Sequence, residues 1–233
     1  MYISAMVKQV ETPPKAPARI QRSRAKVGHP TKESRQQALS DVRRSLILDA
    51  ARAVFFEHGL EGTSVREIAR RAGYTPGAIY SYFASKEEVY GALLSESLDR
   101  LNAQVDAANK SAKDSPKEVL HRTAEAFFGF YRENPRDLDL GFYLFQGMQP
   151  RGLTPALNER LNERLRASLS HAQEAMTTLG MKPDEALAEV TALFAHAVGL
   201  LVLSHTGRIK MFKQGSQELF DKYLAQLIAR VVT

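Results

Sequence analysis

Thr63-Ser64-Val65-Arg66-Glu67-Ile68-Ala69-Arg70-Arg71-Ala72-Gly73-Tyr74-Thr75-Pro76-Gly77-Ala78-Ile79-Tyr80-Ser81-Tyr82-Phe83 is the stretch that decides the fold of this 233-residue chain. Ser64 to Glu67 has the Ser-x-x-Glu form of a capping box, which satisfies orphan N–H groups at a helix start. The helix it opens should run to Ala72, because Gly73 supplies the positive φ that stops it. Thr75 then caps a second helix, with Pro76 at the first helical position, where its missing N–H costs nothing. That helix is short, about Pro76 to Phe83. Ala69 is small enough for close helix approach, and Ile79 turns an apolar side chain inward.

Outward from this unit the helical period continues and no alternating strand runs appear, so the chain reads as all-α. Upstream, Ile47, Ala50, Ala51, Val54 and Phe55 repeat at 3.6 residues, with Ser40 as N-cap. Gly59 should end this helix in a Schellman-type cap, with Leu60 packed back on Phe55. Downstream, Ser85-Lys86-Glu87-Glu88 is a second capping box opening a helix to about Ala108. Ser115-Pro116-Lys117-Glu118 opens another, ending near Asn134-Pro135. Further helices are expected over about 136–147, 155–179, 184–210 and 216–232. The expected organisation is a disordered basic arm over 1–39, a helical unit over 40–95, and a larger helical bundle over 96–233.

Two short helices joined by a tight Gly-containing turn are the ingredients of a helix-turn-helix, whose second helix enters the DNA major groove. The run quoted above, followed by Ser85-Lys86-Glu87-Glu88 and preceded by Ile47–Ala51, Phe55 and Gly59-Leu60, resembles the TetR family of bacterial transcriptional regulators. The resemblance covers about residues 42–95. It implies an N-terminal three-helix DNA-binding domain and a C-terminal helical bundle for ligand binding and dimerisation. It also implies a homodimer on palindromic double-stranded operator DNA, most often a repressor released by a small-molecule inducer, with activator or dual regulator as the alternative.

The roles it implies fall on individual residues. Tyr80 and Lys86 match the family's phosphate-clamping pair, and Tyr82 stands where a ring touches the DNA backbone; the alternative for Tyr80 and Lys86 is a purely structural role. Ser64 and Thr75 cap helices whose N-termini should face phosphates. Arg66 matches a position that reads guanine in some members, against the alternative of a solvated first-turn residue. The reading helix departs from expectation: its outward residues Pro76, Gly77, Ala78 and Ser81 include no Arg, Asn or Gln to pair with a base. Specificity must then rest on Arg66, DNA shape and the arm. In the arm, Val27-Gly28-His29-Pro30 resembles a minor-groove Arg-Gly-Arg-Pro segment with both arginines replaced. Phosphate attraction by Arg19, Arg22, Arg24 and Lys26 is the simpler expectation.

In the C-terminal half, seven of the chain's nineteen Phe and Tyr residues fall between Phe127 and Phe145. Ordinary bundle core is one reading. The other is an apolar ligand cavity lined by Phe127, Tyr131, Phe142, Phe145 and Phe194, with Gln146, His171 and His196 as polar anchors. On the 184–203 helix, Ala188, Ala192, Ala195 and Gly199 make a stripe of small residues that permits close helix approach. With Leu224, Leu227, Ile228 and Val231 it suggests a two-fold four-helix dimer interface, which sets two reading helices on two half-sites.

Composition bounds the alternatives. Residues 1–44 hold ten Lys or Arg and three acids and so carry +7, while the other 189 residues sum to −1, giving the net +6. A basic arm on a near-neutral body suits a polyanionic partner. The absence of cysteine excludes disulfides and thiolate metal sites. No secretory signal is evident, and the greasiest stretch, Ala192 to Leu203, is too short for a span of about 20 residues. A cytoplasmic protein without membrane contact is expected. No Walker loop, dinucleotide fingerprint, nucleophile elbow or His-Glu-x-x-His is present. Glu159/Glu163 and Glu185/Glu189 read as solvated faces, and the histidines form no close ligand pair. Neither catalysis, metal nor cofactor is expected. A non-specific nucleoid-coating protein is the remaining rival.

Overall fold

A computed structural model describes residues 31–110, 115–142 and 153–231. Among them are ten α-helices: α1 Lys32–Gly62, α2 Val65–Ala72, α3 Pro76–Tyr80, α4 Lys86–Ala108, α5 Pro116–Glu133, α6 Pro135–Phe142, α7 Pro155–Ala167, α8 Ser170–Thr178, α9 Pro183–His205 and α10 Ser216–Val231. A 3-10 turn, Arg208–Phe212, joins the last two. The chain divides into two units, Met1–Leu39 and Ser40–Thr233.

Within the first unit, helix begins at Lys32, eight residues before Ser40, and this corrects the expectation of disorder through residue 39. The cause is local. Thr31 accepts the Ser34 N–H at 3.2 Å, the Ser34 hydroxyl donates to the Thr31 carbonyl at 3.0 Å, and Glu33 sits at the positive end of the helix. Residues 32–39 are all exposed, so capping and propensity hold this turn without burial. The remaining arm, including residues 27–30, lies outside the described residues.

In the second unit, α1 presents Ile47, Leu48, Ala51, Val54 and Phe55 to the core. Gly59 breaks its regular path at φ 68, ψ −179, so the chain makes one further turn to Gly62 in place of an αL cap, with Leu60 buried. Gly73 stops α2 as expected. It is left-handed (φ 73, ψ 27), its N–H reaches the Arg70 carbonyl at 3.3 Å, and Tyr74 N–H reaches Ala69 at 2.9 Å, the paired bonds of a Schellman motif.

Helix α3 is shorter than expected. It ends at Tyr80 because the Ser81 hydroxyl takes the Ala78 carbonyl at 2.7 Å and Tyr82 and Phe83 N–H groups both fold back on Ile79. Likewise 155–179 is two helices. Buried Ser168 donates its hydroxyl to Leu165, and the N–H groups of Ser168 and Leu169 bond three residues back, which breaks the path between α7 and α8.

Helix α4 carries the architecture. It leaves the N-terminal helices at Lys86 and runs without a break through residue 95 into the bundle, where it packs on α5, α6 and α7. Its contact with α7 is close: a Cβ on Gly91 would lie 2.6 Å from Leu157 Cδ2. Helix α9 spans 23 residues at a mean hydropathy of 2.0 over its most apolar window, longer than the Ala192–Leu203 stretch suggests. Length and composition would let it cross a membrane. In this fold one side of it packs on α5, α8 and α10.

Candidate nucleic-acid interface

The small N-terminal helices sort their side chains cleanly. Ile68, Ala69, Ile79 and Phe83 are buried, against Ile47, Val54 and Val89 of the same core. Ser64, Arg66, Thr75, Pro76, Gly77, Tyr80 and Ser81 are exposed, and Ala78 and Tyr82 are partly so. Tyr80 leaves 56% of its surface uncovered, unusual for a ring that a core could use.

The caps that hold this face differ in detail from the sequence reading. Ser64 accepts the Glu67 N–H at 3.2 Å, but the Glu67 carboxylate turns to Arg70, at 2.6 and 3.2 Å, so the box is half formed. The Arg70 hydrogen bond holds the Glu67 carboxyl below its ordinary pKa. Ser85 accepts from Glu88 N–H at 3.2 Å, while Glu88 reaches back to Ala84 at 2.8 Å. Thr75 accepts from Ala78 N–H at 3.3 Å.

Among the three arginines of α2, two are engaged. Arg70 pairs with Glu67, and Arg71 with Glu57 at 2.7 Å. Arg66 has no side-chain partner among the described residues. Its guanidinium is therefore available at the exposed first turn, beside the cap of Ser64. Lys86 is the opposite case: its ammonium donates to the carbonyls of Leu60, Glu61 and Thr63 at 2.7, 3.3 and 3.0 Å.

In the bundle, four of the aromatic candidates meet. Ring centroids lie 5.2 Å apart for Phe127–Tyr131, 5.5 Å for Tyr131–Phe142, 5.8 Å for Phe142–Phe194 and 5.8 Å for Phe127–Phe194, a closed circuit. Phe127 and Tyr131 are fully buried; Phe142 and Phe194 are half-buried. Burial, with the Asp137 charge adding to it, pushes the Tyr131 phenol pKa up and keeps it neutral. Phe145 and Gln146 lie outside the described residues.

The two histidines expected as polar anchors have other neighbours. His171 pairs with Asp106 at 3.1 Å at the surface, drawn there by a carboxylate. His196 stacks on Tyr223 with centroids 3.9 Å apart; its Nε2 is buried without a partner, and burial pushes its pKa down.

The small-residue stripe is exposed at all four positions, Ala188, Ala192, Ala195 and Gly199. The α10 half of that expectation is corrected. Leu224, Leu227 and Val231 are buried within the protomer, on the same side as Phe220, which stacks on Phe128 at 4.1 Å. Only Ile228 of the four is half-buried.

Sequence reading missed the contacts that tie α1 and α4 to α6. The Tyr90 hydroxyl donates to the Leu140 carbonyl, Arg136 lies over the Phe56 ring at 4.8 Å, and Arg100 pairs with Asp137 at 2.5 Å. They border a cleft of about 720 Å³ between α1, α4 and α6. Their partners lie 37 to 80 positions apart, and no local pattern announces such pairs.

Comparison with known proteins agrees with this geometry. Residues 47–93 match the family described as bacterial regulatory proteins, tetR family. The chain is 35% identical over 102 residues to the transcriptional activator FasR of Mycolicibacterium smegmatis, covering 44% of this chain and 46% of that protein. It is 48% identical over 89 residues to the transcriptional repressor KstR2 of Mycobacterium tuberculosis, covering 38% and 42%. The matched region thus spans less than half the length of these relatives. In fold, it resembles Bacillus subtilis FadR, solved in complex with stearoyl-CoA, at TM-score 0.61 and 22% identity over 79% of this chain and 97% of that one. A tetR-family protein from Rhodococcus RHA1 gives 0.63 and 21% over 81% and 96%. Residues 47–93 are thus a segment matching the tetR family of bacterial regulatory proteins, set in a chain whose fold resembles solved members of that family.

Proposed function

We propose that this protein is a ligand-responsive, sequence-specific transcriptional regulator that binds a palindromic operator as a homodimer in the cytoplasm, without catalysis. The observation that carries this reading is the sorted face of α2 and α3. Arg66, Thr75, Pro76, Gly77, Tyr80 and Ser81 are exposed together while the packing residues between them are buried. Arg66 reads a base edge through its two-pronged guanidinium, and Tyr80, Tyr82 and the capped N-terminus of α2 position the phosphate backbone. Pro76, Gly77, Ala78 and Ser81 offer close approach and small apolar contact. Each protomer contributes one such face, and the exposed α9 stripe joins the two copies. Quantitative footprinting on the DNA flanking the protein's own gene tests this; protection confined to one two-fold site is the expected result.

The four-ring circuit supports an apolar or aromatic effector. FadR, of similar fold, was solved with stearoyl-CoA, whose acyl chain is apolar although its CoA head is charged. A ligand among these rings would displace the half-buried Phe142 and Phe194 first. It releases DNA only by preferring the non-binding conformer; a preference of about 100-fold suffices for useful induction. Calorimetry with and without operator should show the same factor from both sides, and Phe142→Ala should weaken ligand binding while sparing DNA. Repression with release by inducer is the main reading. Activation stands as a second because FasR, similar over the same region, is an activator.

A further inference from the structure

We infer that Lys86 is a positioning residue of the DNA-binding unit, an ammonium staple between α1 and α4, and not a phosphate contact. The inference rests on the DNA-binding reading above and assigns one residue within it a different task.

The geometry uses the whole side chain. A lysine ammonium has three donors and no acceptor. Three carbonyls converge on this one, from Leu60 at 2.7 Å, Thr63 at 3.0 Å and Glu61 at 3.3 Å. These are carbonyls from the last turn of α1 and the residue just past it, at the negative end of the helix dipole. The break at Gly59 turns this segment, and the buried Thr63 hydroxyl, bonded to the Gly59 carbonyl at 2.5 Å, closes it.

The charge sits at an otherwise unfavourable place. Lys86 is the first residue of α4, where the helix's own dipole is positive and disfavours a cation. The carbonyls of α1 reverse that balance. A phosphate would have to compete with three formed hydrogen bonds, and the lysine is only partly exposed.

The staple acts through Thr63. The next residue, Ser64, is the N-cap of α2, and Arg66 lies one turn on. Holding the Thr63 carbonyl therefore fixes where the α2 N-terminus and Arg66 point. Because α4 runs on into the bundle, Lys86 is also the place where a shift of α4 would reach the reading unit.

The test is the salt dependence of operator binding in the full-length protein, with thermal stability measured on the same samples without DNA. The variants are Lys86→Met, which keeps the stem and removes the charge, and Lys86→Arg, which keeps the charge. For a phosphate contact, Lys86→Met lowers the slope of log K against log salt by about 0.9 per protomer, and Lys86→Arg restores it. For a staple, both variants lower affinity by a similar factor at every salt concentration, roughly tenfold, with the wild-type slope. Both also lower the melting temperature of the free protein, because a planar fork cannot meet three carbonyls converging on one point. A slope reduced by about 0.9 per protomer, or Lys86→Arg at wild-type affinity and stability, overturns the inference. If Lys86→Met fails to fold, Lys86→Arg alone still decides. Should wild type bind no DNA, the parent reading fails, while the melting temperatures still judge the staple: unchanged values overturn it.

Discussion

Arg66 and Lys86 show how differently two cations in one motif can be employed. Both were read from sequence as DNA contacts, and only their surroundings separate them: three carbonyls meet Lys86, and no side chain among the described residues meets Arg66. The sequence could identify Ser64, Thr75 and Gly73, because caps and stops are local chemistry written within four residues. It could not identify the partners of Lys86, more than twenty positions upstream. Arg66→Ala should relax preference at one base pair per half-site, by about 1–3 kcal/mol of discrimination. Measuring binding to single-substitution operators checks it: equal weakening on every operator would remove Arg66 from base reading. Tyr80→Phe should instead weaken all sequences alike, since it deletes only the exposed hydroxyl that the proposed function sets against the DNA backbone.

Helix existence was legible in this chain, and helix ends less so. Period and caps gave α4 and α5 nearly to the residue. They missed the break at Ser168, where a buried hydroxyl competes for its own helix's carbonyl, and the turn at Lys32, which an exposed cap holds. Packing between elements was the least legible level. Nothing in the sequence around Gly91 marks a close approach, yet a Cβ there would meet Leu157 at 2.6 Å. Gly91→Ala should therefore push the half-buried Leu157 side chain aside and destabilise by about 1 kcal/mol, overpacking outweighing alanine's higher helix propensity. Thermal melts of Gly91→Ala and Gly91→Ala/Leu157→Ala test this. A double variant no better than the single would show that the α4–α7 approach is not the source.

At the scale of the whole molecule, α9 divides what the protomer needs from what a dimer would need. Ala192 is exposed in the protomer, so Ala192→Glu should shift its stability by no more than about 0.5 kcal/mol. It should nevertheless convert dimer to monomer in sedimentation, because it sets two carboxylates on a face of small residues. Leu227→Ala should do the reverse and destabilise the fold itself by about 2–5 kcal/mol, since Leu227 is core. A dimer that survives Ala192→Glu would move the interface elsewhere. The central claim is that two copies of the α2–α3 face read one two-fold DNA site. Nuclease footprinting across the DNA flanking the gene, at rising protein concentration and near-physiological salt, tests it most directly. The account predicts protection of a single palindromic segment, with two half-sites about one helical turn apart or a multiple of that, lost together in Ala192→Glu. Uniform protection of all sequences at one concentration, or no protection at any, would contradict it.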